Sequence, residues 1–160
     1  MTHFNNYTLA GSLNDKIKPT HLVTIILNEG ISEDAIDGSR RWIRGDDPNY
    51  NIAFLAYIRS VAKEAVSKNC WQRYKPRLAS VGSIEGDGVN QHHHLHFAIR
   101  KPAYLSEQRF KDILRQKAHR NRWFKTGPNA FDIQSLPTKI DGHQAIGYAL
   151  KKGINRLLYT

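Results

Sequence analysis

Gln91-His92-His93-His94-Leu95-His96-Phe97-Ala98-Ile99 sets imidazoles two residues apart on an apolar run. Side chains alternate faces along a strand, so His94 and His96 share one face, and His92 is in phase with them. Leu95, Phe97 and Ile99 point the other way, toward a core. Two imidazoles side by side on a rigid strand are half of a metal site. The preceding segment Arg77 to Glu85 also reads as a strand, and Gly86-Asp87-Gly88 is a turn signal. The two strands form an antiparallel hairpin that brings Glu85 close to the histidines. Two imidazoles and a carboxylate bind a divalent cation and leave positions open for a phosphate oxygen. Mg²⁺ or Mn²⁺ suits phosphate chemistry; zinc or non-haem iron would accept the same donors.

Outward from this hairpin, His21 to Asn28 is β-branched and apolar, a buried strand. Glu29 to Asn49 reads as an acid-rich connection with a short helix over Ser32 to Ile43. A longer helix follows Asn49, with Ile52, Leu55, Ile58, Ala62, Ala65 and Val66 on its inner side, fading near Asn69. Ser106 caps a helix to about Ala118, buried through Phe110, Ile113, Leu114 and Ala118. Ala130 to Leu136 is a weaker strand ended by Pro137. Asp141 with Gln144 resembles a capping box for a last helix that stops at Gly153.

The order strand, helix, strand, strand, helix, strand, helix predicts an α+β fold. Its core is an antiparallel βαββαβ sheet of the RRM or ferredoxin-like kind, with two helices on one face. The other face is left for a ligand or for the last helix. Residues 1–20 read as an N-terminal arm and 21–160 as a single domain.

The last helix carries Tyr148, with Lys151 at i+3 and Gln144 at i−4 on the same side, while Ile146, Ala149 and Leu150 face the core. A free phenol has a pKa near ~10 and is a poor nucleophile at neutral pH. A neighbouring ammonium, from Lys151 or Lys152, and a polarised phosphate would both favour its attack.

Of the formal charge of +10, almost all lies from Arg100 onward, where thirteen bases face four acids. That asymmetry points to a polyanion, most simply a nucleic acid. Arg100 and Lys101 follow the histidine strand, and Arg115, Lys117, Arg120, Arg122 and Lys125 cluster around Trp123 and Phe124, aromatics able to stack on a base. A single cysteine, Cys70, excludes an intrachain disulfide and a thiolate zinc cluster. No signal peptide or membrane-length apolar run is present, so an intracellular home is expected: cytoplasmic, or nuclear in a eukaryotic host.

In these motifs the chain resembles the HUH endonuclease superfamily, specifically the single-tyrosine rolling-circle replication initiators (Rep proteins). Val23-Thr24-Ile25-Ile26-Leu27-Asn28 is loosely similar to the family's first strand motif. His94-Leu95-His96 matches its His-hydrophobic-His motif, and Tyr148-Ala149-Leu150-Lys151 its Tyr-x-x-Lys motif. Ser83-Ile84-Glu85-Gly86 looks like the segment that supplies the carboxylate in many members. The resemblance spans about Val23 to Gly153 in the family's order. It departs at Phe97, where many viral members have glycine, and in the long stretch after the first strand. No helicase domain follows, which fits a nuclease domain of a longer Rep or a short plasmid or phage protein.

The resemblance implies a metal-dependent nickase acting on single-stranded origin DNA, including an origin hairpin, with a helicase in trans as a further partner. Glu85, His94 and His96 would hold Mg²⁺ or Mn²⁺, and Tyr148 would form a 5′-phosphotyrosine and release a 3′-hydroxyl. A transposase could take a ligand from Gln144, and a relaxase a third histidine, His92. A non-catalytic RRM-like nucleic-acid-binding module shares the element order but would need aromatic RNP motifs, which are not found.

Overall fold

The computed structural model describes residues 6–86, 91–150 and 157–159, the first three and last three of these as backbone only. Twelve elements follow in order: α1 (Asn6–Ile17), β1 (His21–Ile26), β2 (Gly30–Asp34), β3 (Arg40–Arg44), α2 (Asp47–Ala65), α3 (Lys68–Tyr74), β4 (Ser80–Glu85), β5 (His94–Ile99), α4 (Glu107–His119), β6 (Phe131–Ser135), α5 (Lys139–Leu150) and β7 (Leu157–Tyr159). The fold is mixed α+β. Five strands form one antiparallel sheet in the order β6-β1-β5-β4-β7, and β2 with β3 forms a separate ribbon. Among the described residues, no helix is long and apolar enough to cross a membrane.

Period-two burial in β1, with β5 buried on both faces, divides the sheet into two cores. Val23, Ile25 and Leu27 join Leu95, Phe97, Ile99 and Ile84 beneath α2 and α4. Leu22, Val81 and Ala98 face α1 and α5 on the other side. The first core is rich in aromatics: Phe54 and Tyr57 meet Phe97 edge-on at 5.3 and 5.9 Å between ring centroids. Such contacts add to the area they bury.

Several expectations hold and several need correction. Ser106 caps α4 by accepting from Arg109 N, and Phe110, Ile113, Leu114 and Ala118 are its buried residues, as the spacing predicts. α2 is present, capped by Asp46 with Pro48 in its first turn. Its inner face is rotated, however, because Tyr50, Phe54 and Tyr57 bury more area than Ile52 and Leu55, which stay exposed. The capping box of α5 lies one turn earlier than expected. Thr138 Oγ1 accepts from Asp141 N at 3.2 Å, and Asp141 Oδ2 accepts from Thr138 N at 3.0 Å.

Three elements depart from the sequence reading. The arm expected over residues 1–20 is not irregular: Asn6–Ile17 is a helix whose Ala10 and Ile17 are buried, and whose Asn14 donates to Lys139 O on α5. The helix expected over Ser32–Ile43 is the β2–β3 ribbon, turned at Gly38 with φ +80. β7 pairs with β4, so β4 is not the outermost strand.

Candidate active site

Register brings the motif residues together. In β5, His94 lies opposite Glu85 of β4 and Ile26 of β1, and His96 lies opposite Ser83 and Thr24. Directly paired residues share a face. That face is the one covered by α1 and α5. The rings of His94 and His96 stack nearly parallel, 6.0 Å apart and 15° inclined. His96 is buried, and its Nε2 stands 3.7 Å from Glu85 Oε2, beyond hydrogen-bonding distance.

The opposite ring nitrogen, His96 Nδ1, is hydrogen-bonded to Thr24 Oγ1 at 2.9 Å. That contact fixes the ring and leaves Nε2 toward Glu85. A histidine whose second nitrogen is fixed in this way is the usual arrangement of a metal ligand. Thr24 escaped the sequence reading, although the alternation of Val23 and Ile25 already places it on the histidine face. So did Ser83, fully buried across from His96, whose Oγ has no hydrogen-bond partner among the described residues.

Tyr148 arrives from α5. Its ring meets His96 edge-on, with centroids 5.1 Å apart and planes at 87°. It is 41% exposed, while Ile146, Ala149 and Leu150 on the same helix are fully buried, as expected. Other tyrosines differ in kind. Burial pushes the Tyr50 phenol up to about 12 and the Tyr57 phenol well above its ordinary value. Both donate to backbone carbonyls, of Asn28 and Leu114. Neither phenol is available as a nucleophile.

The donor chemistry of His94, His96 and Glu85 fits a divalent cation in type and in the fixing of His96. Among the described residues, no three His, Cys, Asp or Glu side chains are gathered into a group that could hold a metal ion. His92 does not join the pair: its Nδ1 faces Glu29 Oε1 at 3.1 Å, and Lys125 Nζ lies 3.4 Å away. Gln144 is exposed one turn before Tyr148 and makes no hydrogen bond among the described residues. Lys151 and Lys152 lie outside the described residues.

The basic residues divide into groups. Lys117, Arg120, Arg122 and Trp123 line an open groove of about 1140 Å³ with Lys63, Lys68 and Trp71, on the α2 and α4 side of the sheet. That is the side away from Tyr148. Lys117 is paired to Glu64 at 2.8 Å, Arg115 lies 4.0 Å from Asp112, and Arg122 is paired to Glu33. Trp123 packs edge-on against Tyr50 and is partly buried at the groove, whereas Phe124 is buried in the core and is not the stacking surface expected of it. Arg100 and Lys101 follow the far end of β5, roughly 20 Å from His94 at strand rise. Lys101 Nζ is tied there to Leu105 O at 2.6 Å.

Comparison with known protein families finds no matching model, and comparison with curated proteins finds no match.

Proposed function

We propose that this chain is a metal-dependent nickase and strand transferase of the HUH type, acting on single-stranded DNA through Tyr148. One observation carries the reading: Tyr148, fifty-two positions beyond His96, rests edge-on against it on the face that holds His94 and Glu85. The sheet supports it as well. Taken in chain order, β1, β4, β5 and β6 with α2 and α4 between them run strand, helix, strand, strand, helix, strand. Their 4-1-3-2 arrangement in the sheet is compatible with a ferredoxin-like βαββαβ core and supports that reading.

In this reading His94, His96 and Glu85 hold Mg²⁺ or Mn²⁺. A cation held there would supply Lewis-acid polarisation of the phosphate. Thr24 keeps the His96 ring in place. The Tyr148 phenol oxygen attacks phosphorus, losing its proton, and the bond to the 3′ oxygen breaks. That oxygen leaves as a hydroxyl after gaining a proton, and the 5′ phosphate stays on the tyrosine. One phosphodiester replaces another, so no oxidant or energy source is needed. Lys151 is the cation assigned to the phenolate, and an origin hairpin and a helicase in trans are the natural partners. Helices cover both faces of the sheet, which disfavours an open RRM-like platform. The pairing of His92 with Glu29 favours the Rep arrangement over the relaxase one.

The test is incubation with labelled single strands of randomised sequence and Mn²⁺, followed by denaturing electrophoresis and peptide mapping. A covalent adduct on Tyr148 is expected, absent without metal and in Tyr148→Phe, which keeps its DNA affinity. His94→Ala should also form no adduct. An adduct on another tyrosine, or none at all, would overturn the assignment.

A further inference from the structure

The β2–β3 ribbon is used by nothing described so far. It leaves the body after Asn28 and returns at Gly45, tied at its base to the histidine end of the sheet. Gly45 N donates to Glu29 O at 2.7 Å, Glu29 holds His92 two positions before His94, and Glu33 pairs with Arg122. Arg40, Trp42 and Arg44 alternate along β3 and therefore share one face of the ribbon.

Trp42 is 66% exposed, yet its position is built. Across the ribbon on its own face lie Ser32 and Gly30. A Cβ placed on Gly30 would lie 2.5 Å from Trp42 Cζ2, so the indole rests against backbone that only glycine leaves clear. One side of the indole is supported while most of its surface stays open to solvent. The acids nearby are engaged: Glu33 with Arg122, Glu29 with His92, and Asp37 with the Ser39 turn. Arg40 meets Asp34 at 3.5 Å with both side chains fully in water, which is worth little. The Arg41 and Arg44 guanidiniums make no hydrogen bond or ion pair among the described residues. A supported, exposed indole flanked by Arg44 and by Arg40, whose one ion pair is weak, matches the requirements of an unpaired base and its phosphates.

We propose that Trp42, with Arg40 and Arg44 beside it, is a stacking platform for single-stranded DNA on the ribbon that leaves the histidine end of the sheet. The inference rests on the nickase reading for its ligand, and the ribbon acts in affinity rather than in chemistry. Stacking tolerates any base, so the platform grips the strand without reading its sequence. An apolar protein partner is the competing occupant. It would not call for two arginines on the indole's own face.

The probe is a fluorescein-labelled oligothymidylate, followed by anisotropy at two salt concentrations, with adduct formation measured in parallel. Trp42→Ala should weaken binding about ten- to hundredfold, Trp42→Phe much less, and duplex binding should barely change. Binding should quench the indole emission that Trp42 contributes, and Trp42→Phe should lose that quench. Arg44→Ala should lower the salt slope by about one. Because the side chain is exposed, loss of fold is not expected, and circular dichroism checks it. Unchanged oligonucleotide affinity in Trp42→Ala, or an equal loss on duplex, would overturn the platform even if Tyr148 still forms its adduct. Weakened binding in Trp42→Ala without any adduct in the wild type would uphold the platform and sink the nickase. No binding by the wild-type protein would sink both.

Discussion

Two histidines of this protein stand in the same three-residue setting on opposite faces of one sheet. His21 Nδ1 is hydrogen-bonded to Thr20 Oγ1 at 2.8 Å, and its Nε2 to Glu107 Oε1 at 2.8 Å. His96 Nδ1 is bonded to Thr24 Oγ1 at 2.9 Å, but its Nε2 stands 3.7 Å from Glu85. The first set is closed. Glu107 is bonded in addition by Ser135 at 2.6 Å and paired with Lys111 at 3.1 Å, and Phe110 packs on the imidazole. Every strong group there is consumed by the fold. The second set has instead a stacked histidine and a half-exposed tyrosine as neighbours. Identical residue types therefore make a structural joint in one place and a candidate reactive site in the other. The difference lies in the neighbours each imidazole keeps.

The sharpest way to break this contrast is to remove each imidazole. His96→Ala should lower adduct formation by a factor of roughly 10³ or more, in the range of losing a metal-based stabilisation, with little change in melting temperature. His21→Ala should do the reverse: cleavage by the folded protein persists, while chemical denaturation shows a loss of about 1–3 kcal/mol for the buried bonds and packing. If both variants lost only stability, the two sets would be equivalent and the site assignment would fail.

The threonines sharpen the contrast at a smaller scale. Thr24→Val should raise the metal concentration needed for half-maximal cleavage about 10–100-fold, the usual effect of losing a ligand's orienting bond. Thr20→Val should leave that concentration where it was. A metal requirement unmoved by Thr24→Val would deny the threonine its positioning role.

The closed set also carries the weakest signal, a pH dependence of stability. Burial holds the His21 imidazole below its ordinary 6.5, against the pull of Glu107. The unfolded chain then takes up a proton first as pH falls through 6.5, so stability declines below that point. The Ser135 hydroxyl, with His21 and Lys111, holds the Glu107 carboxyl down at about 2 from 4.5. Its share is complete above 4.5 and is lost as pH falls from there toward 2. Urea titrations at stepped pH should show the upper limb of this loss vanish in His21→Gln. Its persistence would place the titration in another group.

How much of this was legible depended on how local each signal is. β1, β5 and α4 announce themselves through their own periodicity, and the pairing of His94 with Glu85 follows from one hairpin. Tyr148 reaching His96 could be anticipated from motif order alone, not from distance. The ribbon was misread because Ile31, Ala35 and Ile36 happen to fall at helical spacing, although Asp37-Gly38 is a hairpin turn signal. α1 is too polar to stand out, and its burial comes from α5, far away in sequence. α5 itself contains Gly142 and Gly147, which weaken a helix standing alone. Trp42 carries no signal of its own in the sequence, because the excess of positive charge lies in the C-terminal half.

The packing of α1 on α5 bears on the timing of assembly. The hydrogen bond from Asn14 to Lys139 O joins residues 125 positions apart, a separation of the kind that forms late in folding. During synthesis β1, β4 and β5 are in hand well before α5, so the imidazoles and the carboxylate would be placed while the phenol is still missing. On the nickase reading, a nascent chain would then present the imidazoles and the carboxylate before it could cut, and the nucleophile would arrive with the helix that docks last.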